Sequence, residues 1–187
     1  MAVTSFDELV KQEQQASRTV LGGEADLFKE RDEWLDRLSD LYRQVERFLD
    51  DYVQTGSVKV AYTPVEITEE QVGTYQAKSM TIAIGRKTVK LEPIGTFLVG
   101  TKGRVDVVGP SESGRLTLLD KDVKNLSQLI RVSVRIVGKS PVPPPPPQKD
   151  PSTIQWVWRI VTRPPKVGIV EMTKENFLDL LAEVANG

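Results

Sequence analysis

The first third of the chain has the hydrophobic period of α-helices. Apolar residues recur near the helical period over 5–19, with Glu13 as a polar interruption, and a longer apolar stripe runs over 24–54. Gly22 and Gly23 separate the two stretches. Because glycine is unfavourable inside helices, we predict two helices that meet at this pair. The result would be an N-terminal helical hairpin with one long helix.

The apolar stripe of the predicted long helix is wide, because a second row of apolar residues runs beside the first at intervals of seven. Such a stripe is typical of a helix that packs on a neighbouring helix or on a sheet. It also allows a homodimer through the helix at 24–54. The sequence leaves these alternatives open.

After Gly56 the hydrophobic period changes to two, which is the period of β-strands. Short polar or glycine-rich turns separate the alternating segments and leave no room for crossover helices, so we predict a curved antiparallel meander of about seven or eight strands. The segments with this pattern are 58–62, 80–84, 89–91, 94–99, 104–108, 116–119, 128–137 and 154–160, and a last short segment at 167–171 is a further candidate.

The last third of the chain contains a proline run. We expect 128–137 to pair with 154–160, and the proline-rich connection at 138–152 to be an exposed polyproline II spacer. A short amphipathic helix is predicted at 173–186.

These elements predict the α+β fold class. The expected organisation is an acidic helical segment at 1–56 and an antiparallel β domain at 57–187, packed as one globular unit. A chain of 187 residues, 39% of them hydrophobic, is long enough to bury such a core without disulfides or metals.

Two residue types are missing from the chain, cysteine and histidine. Their absence excludes thiolate and imidazole metal sites, cysteine nucleophiles and the usual Ser-His-Asp catalysis. Enzymatic chemistry is left with a Ser-Lys pair, a carboxylate pair or carboxylates that hold Mg²⁺. We therefore expect a non-enzymatic protein with no cofactor and no bound metal.

The apolar content and the absence of cysteine indicate the compartment and whether the protein binds membranes. No apolar run approaches the roughly 20 residues of a membrane-spanning helix, and the first ten residues carry two acids and no secretory h-region. Since cysteine is absent as well, we expect a cytoplasmic protein that does not bind membranes.

Charge is distributed unevenly. Residues 1–56 hold 13 acids and 7 bases, whereas 57–140 hold 8 acids and 13 bases. We interpret the acidic helix face, and in particular Asp36, Asp40 and Asp50, as a surface that binds a protein partner, and we expect this partner to be basic. The expected function is that of an interaction module, such as an immunity protein, an antitoxin-like protein or an accessory protein.

Two alternative functions rest on the predicted sheet. A row of bases opposite the apolar residues of their strands could bind nucleic acid phosphates, although few aromatic residues accompany them. A Mg²⁺-dependent hydrolase could form around Asp106, with Glu92 and Lys90 on a neighbouring strand. The bases of the first alternative are Lys59, Lys90, Arg104, Arg115, Arg131, Arg135 and Arg159.

Trp156 and Trp158 alternate with polar or smaller residues and so share one face of a strand with Ile154 and Ile160. These isoleucines favour a core position for the two indoles over a platform for ligands. The glycine-rich segments 100–104 and 109–115 match no phosphate-binding motif and are interpreted as hairpin turns.

Overall fold

A computed structural model describes residues 6–96, 101–124, 153–162 and 167–186, with side chains from residue 26 onward. In these ranges two helices pack against one sheet of seven antiparallel strands, whose spatial order is the chain order β1 to β7. The predicted α+β class, with its meander and its short C-terminal helix, is confirmed. The elements are α1 (Phe6–Gln54), β1 (Val58–Glu69), β2 (Gly73–Ile84), β3 (Lys87–Gly95), β4 (Arg104–Val108), β5 (Ser113–Asp120), β6 (Trp156–Val161), β7 (Ile169–Glu171) and α2 (Lys174–Asn186).

The predicted break at Gly22 and Gly23 is wrong, because α1 continues through both residues as one helix of 49 residues. Glycine weakens a helix by about 1 kcal/mol relative to alanine, but it keeps the N–H and the carbonyl that the helical ladder needs. Only proline removes the N–H. Two glycines between good helix-forming residues therefore lower the stability of the helix without ending it.

The second half of α1 packs on one face of the sheet, which we call the inner face. Trp34, Leu38, Leu41, Val45 and Leu49 are all buried in the core that α1 shares with the strands. The structure thus shows a helix on a sheet, one of the alternatives that the sequence left open. This part of the stripe is covered by the protein's own core. A homodimer through 24–54 stays a prediction.

Close contacts fix α1 against the strands. The indole of Trp34 lies over Gly103, where a Cβ atom would come within 2.1 Å of the ring. The rings of Trp34 and Trp158 are 5.9 Å apart, and Trp158 Nε1 donates a hydrogen bond of 3.2 Å to the carbonyl of Arg37. The interpretation of Trp158 as a core residue is confirmed by its 8% exposure.

The second helix packs on the same face of the sheet. Thr173 caps it, since Thr173 Oγ1 accepts a hydrogen bond of 3.2 Å from the backbone N–H of Asn176. Phe177 is fully buried and its ring lies 6.0 Å from that of Phe48 on α1. Both helices therefore cover the inner face of the sheet. The opposite face is called the outer face below.

The hairpin of β1 and β2 is strongly twisted. Near its base the even-numbered residues Met80 and Ile82 are buried, whereas towards its tip the odd-numbered Tyr75 and Ala77 are buried. β3 pairs with β2 only over Met80–Ile84, so the rest of the hairpin is a two-stranded ribbon, which twists more than a wide sheet. This twist turns the opposite side of the ribbon towards the core.

The hairpin tip is attached to the end of β3 through Glu69. One carboxylate oxygen of Glu69 accepts hydrogen bonds of 3.0 Å from both the backbone N–H and the hydroxyl of Thr96. The other oxygen accepts a hydrogen bond from the hydroxyl of Tyr75. Gly95 permits this contact, since a Cβ there would lie 2.9 Å from the carboxylate.

β6 pairs with two strands among the described residues. Its neighbours are β5, with Leu118 opposite Trp158, and β7, with Val170 opposite Ile160. The predicted partner at 128–137 and the proline-rich connection at 138–152 lie outside the described residues. The alternation of apolar residues identifies a strand but does not contain the register that selects its neighbour.

The segment predicted as a separate strand at 94–99 belongs in part to β3, which continues to Gly95 with an irregularity between Pro93 and Gly95. Residues 97–100 lie outside the described part. Neither helix is both long and apolar enough to cross a lipid bilayer, within the residues that the structure describes.

Candidate functional site

The acidic residues singled out on α1 lie on one side of the helix. Asp36, Asp40 and Asp50 are exposed. At about 100° per residue they fall within an arc of about 80°, and Asp36 and Asp50 are about 21 Å apart along the axis. The side of α1 that carries the buried residues from Trp34 to Leu49 is directed into the core, so the helix cannot rotate these carboxylates away from solvent.

The three carboxylates differ in their local partners. Asp40 forms an ion pair with Arg43, and Asp50 accepts a hydrogen bond of 2.7 Å from Gln54 Nε2. Asp36 contacts no hydrogen-bond or ion-pair partner among the described residues. Over residues 26–54 the helix holds nine acids and five bases, so its exposed side remains negative after these pairs are counted.

A pair of tyrosines lies where α1 crosses the hairpin. The rings of Tyr42 and Tyr62 are 5.6 Å apart, and Tyr62 donates a hydrogen bond of 2.7 Å to Glu46 Oε1. Burial, and then the charge of Tyr62, raise the pKa of Tyr42 well above its usual value. Burial also raises the pKa of Tyr62, and the hydrogen bond to Glu46 adds to this effect.

These pKa values predict that the free energy of unfolding falls above about pH 10, the usual tyrosine pKa. A raised folded-state pKa stabilises the fold below the unfolded-state pKa, and that stability is lost as the pH rises towards the folded-state pKa. Urea unfolding at pH 8 and at pH 11 measures the loss, and Tyr42→Phe should reduce it. An equal loss in the variant would contradict the role of Tyr42.

The structure brings four of the predicted basic residues together on the outer face of the sheet. The ladder aligns Arg104 with Thr117 and Thr117 with Arg159, while Lys90 and Arg115 occupy the same face on β3 and β5. Lys59 lies on β1, the edge strand at the far side. The other two candidates, Arg131 and Arg135, lie outside the described residues.

Acidic residues are interleaved with these bases. Arg104 donates two hydrogen bonds, of 2.6 and 2.8 Å, to the carboxylate of Asp106. Lys90 Nζ lies 3.5 Å from Glu92 Oε1. Arg159 Nη1 lies 2.8 Å from Glu171 Oε1, and its hydrogen bond lowers the pKa of Glu171. On β3 to β7 the face therefore carries four bases and three acids.

The outer face also differs from an open binding platform. Thr117 and Leu119 point to this side, yet they are 5% and 0% exposed. A surface that binds a phosphate backbone needs accessible cations, and here the paired arginines flank buried residues. The arrangement favours a charge-compensated sheet face.

The surroundings of Asp106 suit an ion pair better than a metal. Both of its carboxylate oxygens accept hydrogen bonds from Arg104, whose positive charge repels a cation at short range. Glu92 lies opposite Asp106 in the ladder but is paired with Lys90. Across the described ranges, no three or more acidic side chains are grouped so that they could hold a metal ion.

Comparisons with protein-family models, with curated proteins and with solved structures find no match to this chain.

The sequence analysis did not single out one surface, the edge that β1 forms in the described sheet. The signal was Pro64, because a proline within an alternating segment marks an edge strand, where no N–H is required.

Proposed function

We propose that this protein is a non-enzymatic interaction module that binds a protein partner through the exposed acidic face of α1. The proposal rests on the position of Asp36, Asp40 and Asp50 along one side of a helix whose opposite side is held in the core. A rigid helix presents charges at constant spacing, so little conformational entropy is lost at this surface on binding.

The charge of the surface indicates the chemistry of the partner. A negative helix face attracts a basic surface, accelerates encounter and selects against acidic proteins. We infer a basic protein partner and a cytoplasmic accessory, immunity or antitoxin-like role. The cytoplasmic location is supported by the absence of cysteine.

The alternative functions receive less support from the described residues. The bases of the outer sheet face are largely paired with acids, which weakens the case for a nucleic acid interface. The carboxylates around Asp106 are paired with cations, which weakens the case for a Mg²⁺-dependent hydrolase.

A pull-down with the full chain as bait tests the proposal. Neutralising Asp36, Asp40 and Asp50 together to asparagine should reduce recovery of the partner from the lysate of its own cell about tenfold, which is about 1.4 kcal/mol of binding free energy. Recovery with the wild-type chain should also fall as the salt concentration rises, because salt screens exposed charges.

The matched control removes the same charge from exposed acids elsewhere. Glu66→Gln, Glu70→Gln and Asp179→Asn together change the net charge by the same three units but lie on the hairpin and on α2. This control should retain the partner at wild-type levels. Unchanged recovery with the α1 variant, or an equal loss with the control, would refute the proposed surface.

A further inference from the structure

The two edges of the described sheet are unlike each other. β7 has three residues, and the carbonyls of Glu171 and Met172 beside it accept hydrogen bonds from Asn176 Nδ2 and Gln44 Nε2. β1 has twelve residues and forms the opposite edge. Long edge strands with free backbone groups are templates for pairing with another strand, whereas short and covered edges are protected.

The sheet ladder shows which backbone groups of β1 point outward. Gly85 and Arg86 form a two-residue hairpin turn, in which the carbonyl of Ile84 is directed to the N–H of Lys87. The backbone groups of Ile84 therefore face β3. Because hydrogen-bonded and non-hydrogen-bonded pairs alternate along an antiparallel ladder, its opposite residue Val58 directs its own groups away from β2.

The register of β1 with β2 is continuous, so every even-numbered residue of β1 points its backbone groups outward as Val58 does. Two independent features agree with this assignment. Pro64 falls at an outward position, where its missing N–H leaves the ladder intact. The carbonyl of Lys78, opposite Pro64, is not used by β1 and accepts a hydrogen bond of 2.5 Å from the hydroxyl of Tyr42.

We propose that β1 pairs with β1 of a second copy of this chain, antiparallel and about a two-fold axis at Val60. Val60 would then lie opposite Val60 of the partner subunit, and Val58 opposite the partner's Tyr62. Three residue pairs would each exchange two hydrogen bonds, and Pro64 would lie outside the paired stretch. The result is one continuous sheet across two subunits.

Charge and proline select this register over its neighbours. A two-fold axis perpendicular to the sheet pairs residues of the same face, so moving the axis by one residue centres it on Lys59 or on Ala61. An axis at Lys59 places two lysines directly opposite each other, which is unfavourable. An axis at Ala61 places Pro64 opposite Val58, where an N–H is missing. An axis at Val60 avoids both and places Lys59 opposite the small Ala61.

Exposed apolar side chains next to this edge favour a second protein chain as its occupant. Tyr62 lies on the edge itself with 41% exposure, and Tyr52 and Val53 on the last turns of α1 are 43% and 40% exposed. The N–H of Ser57 donates a hydrogen bond of 2.9 Å to the carbonyl of Tyr52, which holds this turn beside the start of β1. Half of the large exposed hydrophobic residues of the described chain therefore border the paired stretch.

A charge introduced at residue 61 tests the register directly. Ala61 is exposed and lies on the same face as Lys59, so a lysine or a glutamate there leaves the core untouched. Ala61→Lys places two like-charged pairs across the interface and should weaken dimerisation about tenfold. Ala61→Glu places two opposite-charge pairs there and should leave it at least as strong. Sedimentation equilibrium between about 1 and 100 μM measures both dissociation constants.

A backbone test supplements the charge test. Val60→Pro removes an outward N–H at the two-fold axis and should yield monomers, whereas Thr68→Pro removes one outside the paired stretch and should leave the dimer intact. Circular dichroism checks that both variants are folded.

Several results would overturn the proposal. They are a monomeric wild-type chain across this range, equal effects of the two charges at residue 61, or a β1 edge occupied by a strand of a different protein. Because α1 carries the acidic face, the pull-down and the dimerisation assay can fail independently.

Discussion

Trp34→Ala should lower the free energy of unfolding by about 3–5 kcal/mol, the usual range for removing a large buried aromatic side chain. The indole is 1% exposed and contacts both Gly103 and the ring of Trp158. Its loss leaves a cavity between α1 and the strands that the surrounding backbone cannot easily fill. Since small domains have only about 5–15 kcal/mol of stability, this is the largest single effect that we expect.

Urea denaturation followed by circular dichroism measures the effect of Trp34→Ala. Phe28→Ala is the control, because Phe28 lies on the same helix but is 46% exposed and contacts only the guanidinium of Arg31 among the described aromatic and cationic partners. The control should lower the free energy of unfolding by no more than about 1 kcal/mol. Equal effects of the two substitutions would show that Trp34 is not an anchor of α1.

Gly109→Ala should destabilise the fold by about 3 kcal/mol, although it adds a single methyl group. A Cβ at this position would lie 2.0 Å from the carbonyl oxygen of Val184, so the backbone of α2 would have to move. At Gly114 the obstacle is instead the side chain of Leu180, at 2.5 Å, which can rotate. Gly114→Ala should therefore cost less, about 1 kcal/mol.

Gly168→Ala is the neutral member of this series. Its Cβ would lie 3.5 Å from Thr162 Oγ1, an ordinary contact distance, and the free energy of unfolding should change by less than about 0.5 kcal/mol. Urea denaturation of the three variants should show the largest loss of stability for Gly109→Ala, a smaller one for Gly114→Ala and the smallest for Gly168→Ala. A Gly109→Ala variant as stable as Gly168→Ala would mean that α2 does not pack closely on the turn after β4.

The local elements could be predicted from the sequence because each depends on neighbouring residues. Alternation of buried and exposed positions locates the strand around Val105 and Val107, and Thr173 marks the start of the last helix. The predicted break between two helices was wrong for a physical reason, since Gly22 and Gly23 weaken a helix but keep its hydrogen-bonding groups.

The candidate surfaces were predicted only in part. The bases of the outer sheet face could be assigned to one side of their strands, because side-chain direction alternates along a strand. Their pairing with acids could not be predicted in this way, because it depends on which strands are neighbours. Arg159, for example, pairs with Glu171 across the β6–β7 ladder. The exposure of Asp36 followed from helical periodicity, whereas the ion pair of Lys174 with Asp51 depends on how α2 meets α1.

The amino-acid sequence by itself determined the α+β class, the succession of helix, strands and helix along the chain, and the chemistry that two missing side chains, imidazole and thiol, exclude. These properties depend on composition and on periods of two and 3.6 residues, which act over short stretches of chain. Only the tertiary structure decided that β6 lies beside β5, that α1 covers the inner face and that β1 is an edge strand of the described sheet. Such outcomes depend on contacts between residues far apart in the chain, and their register and close packing are set by the fold as a whole.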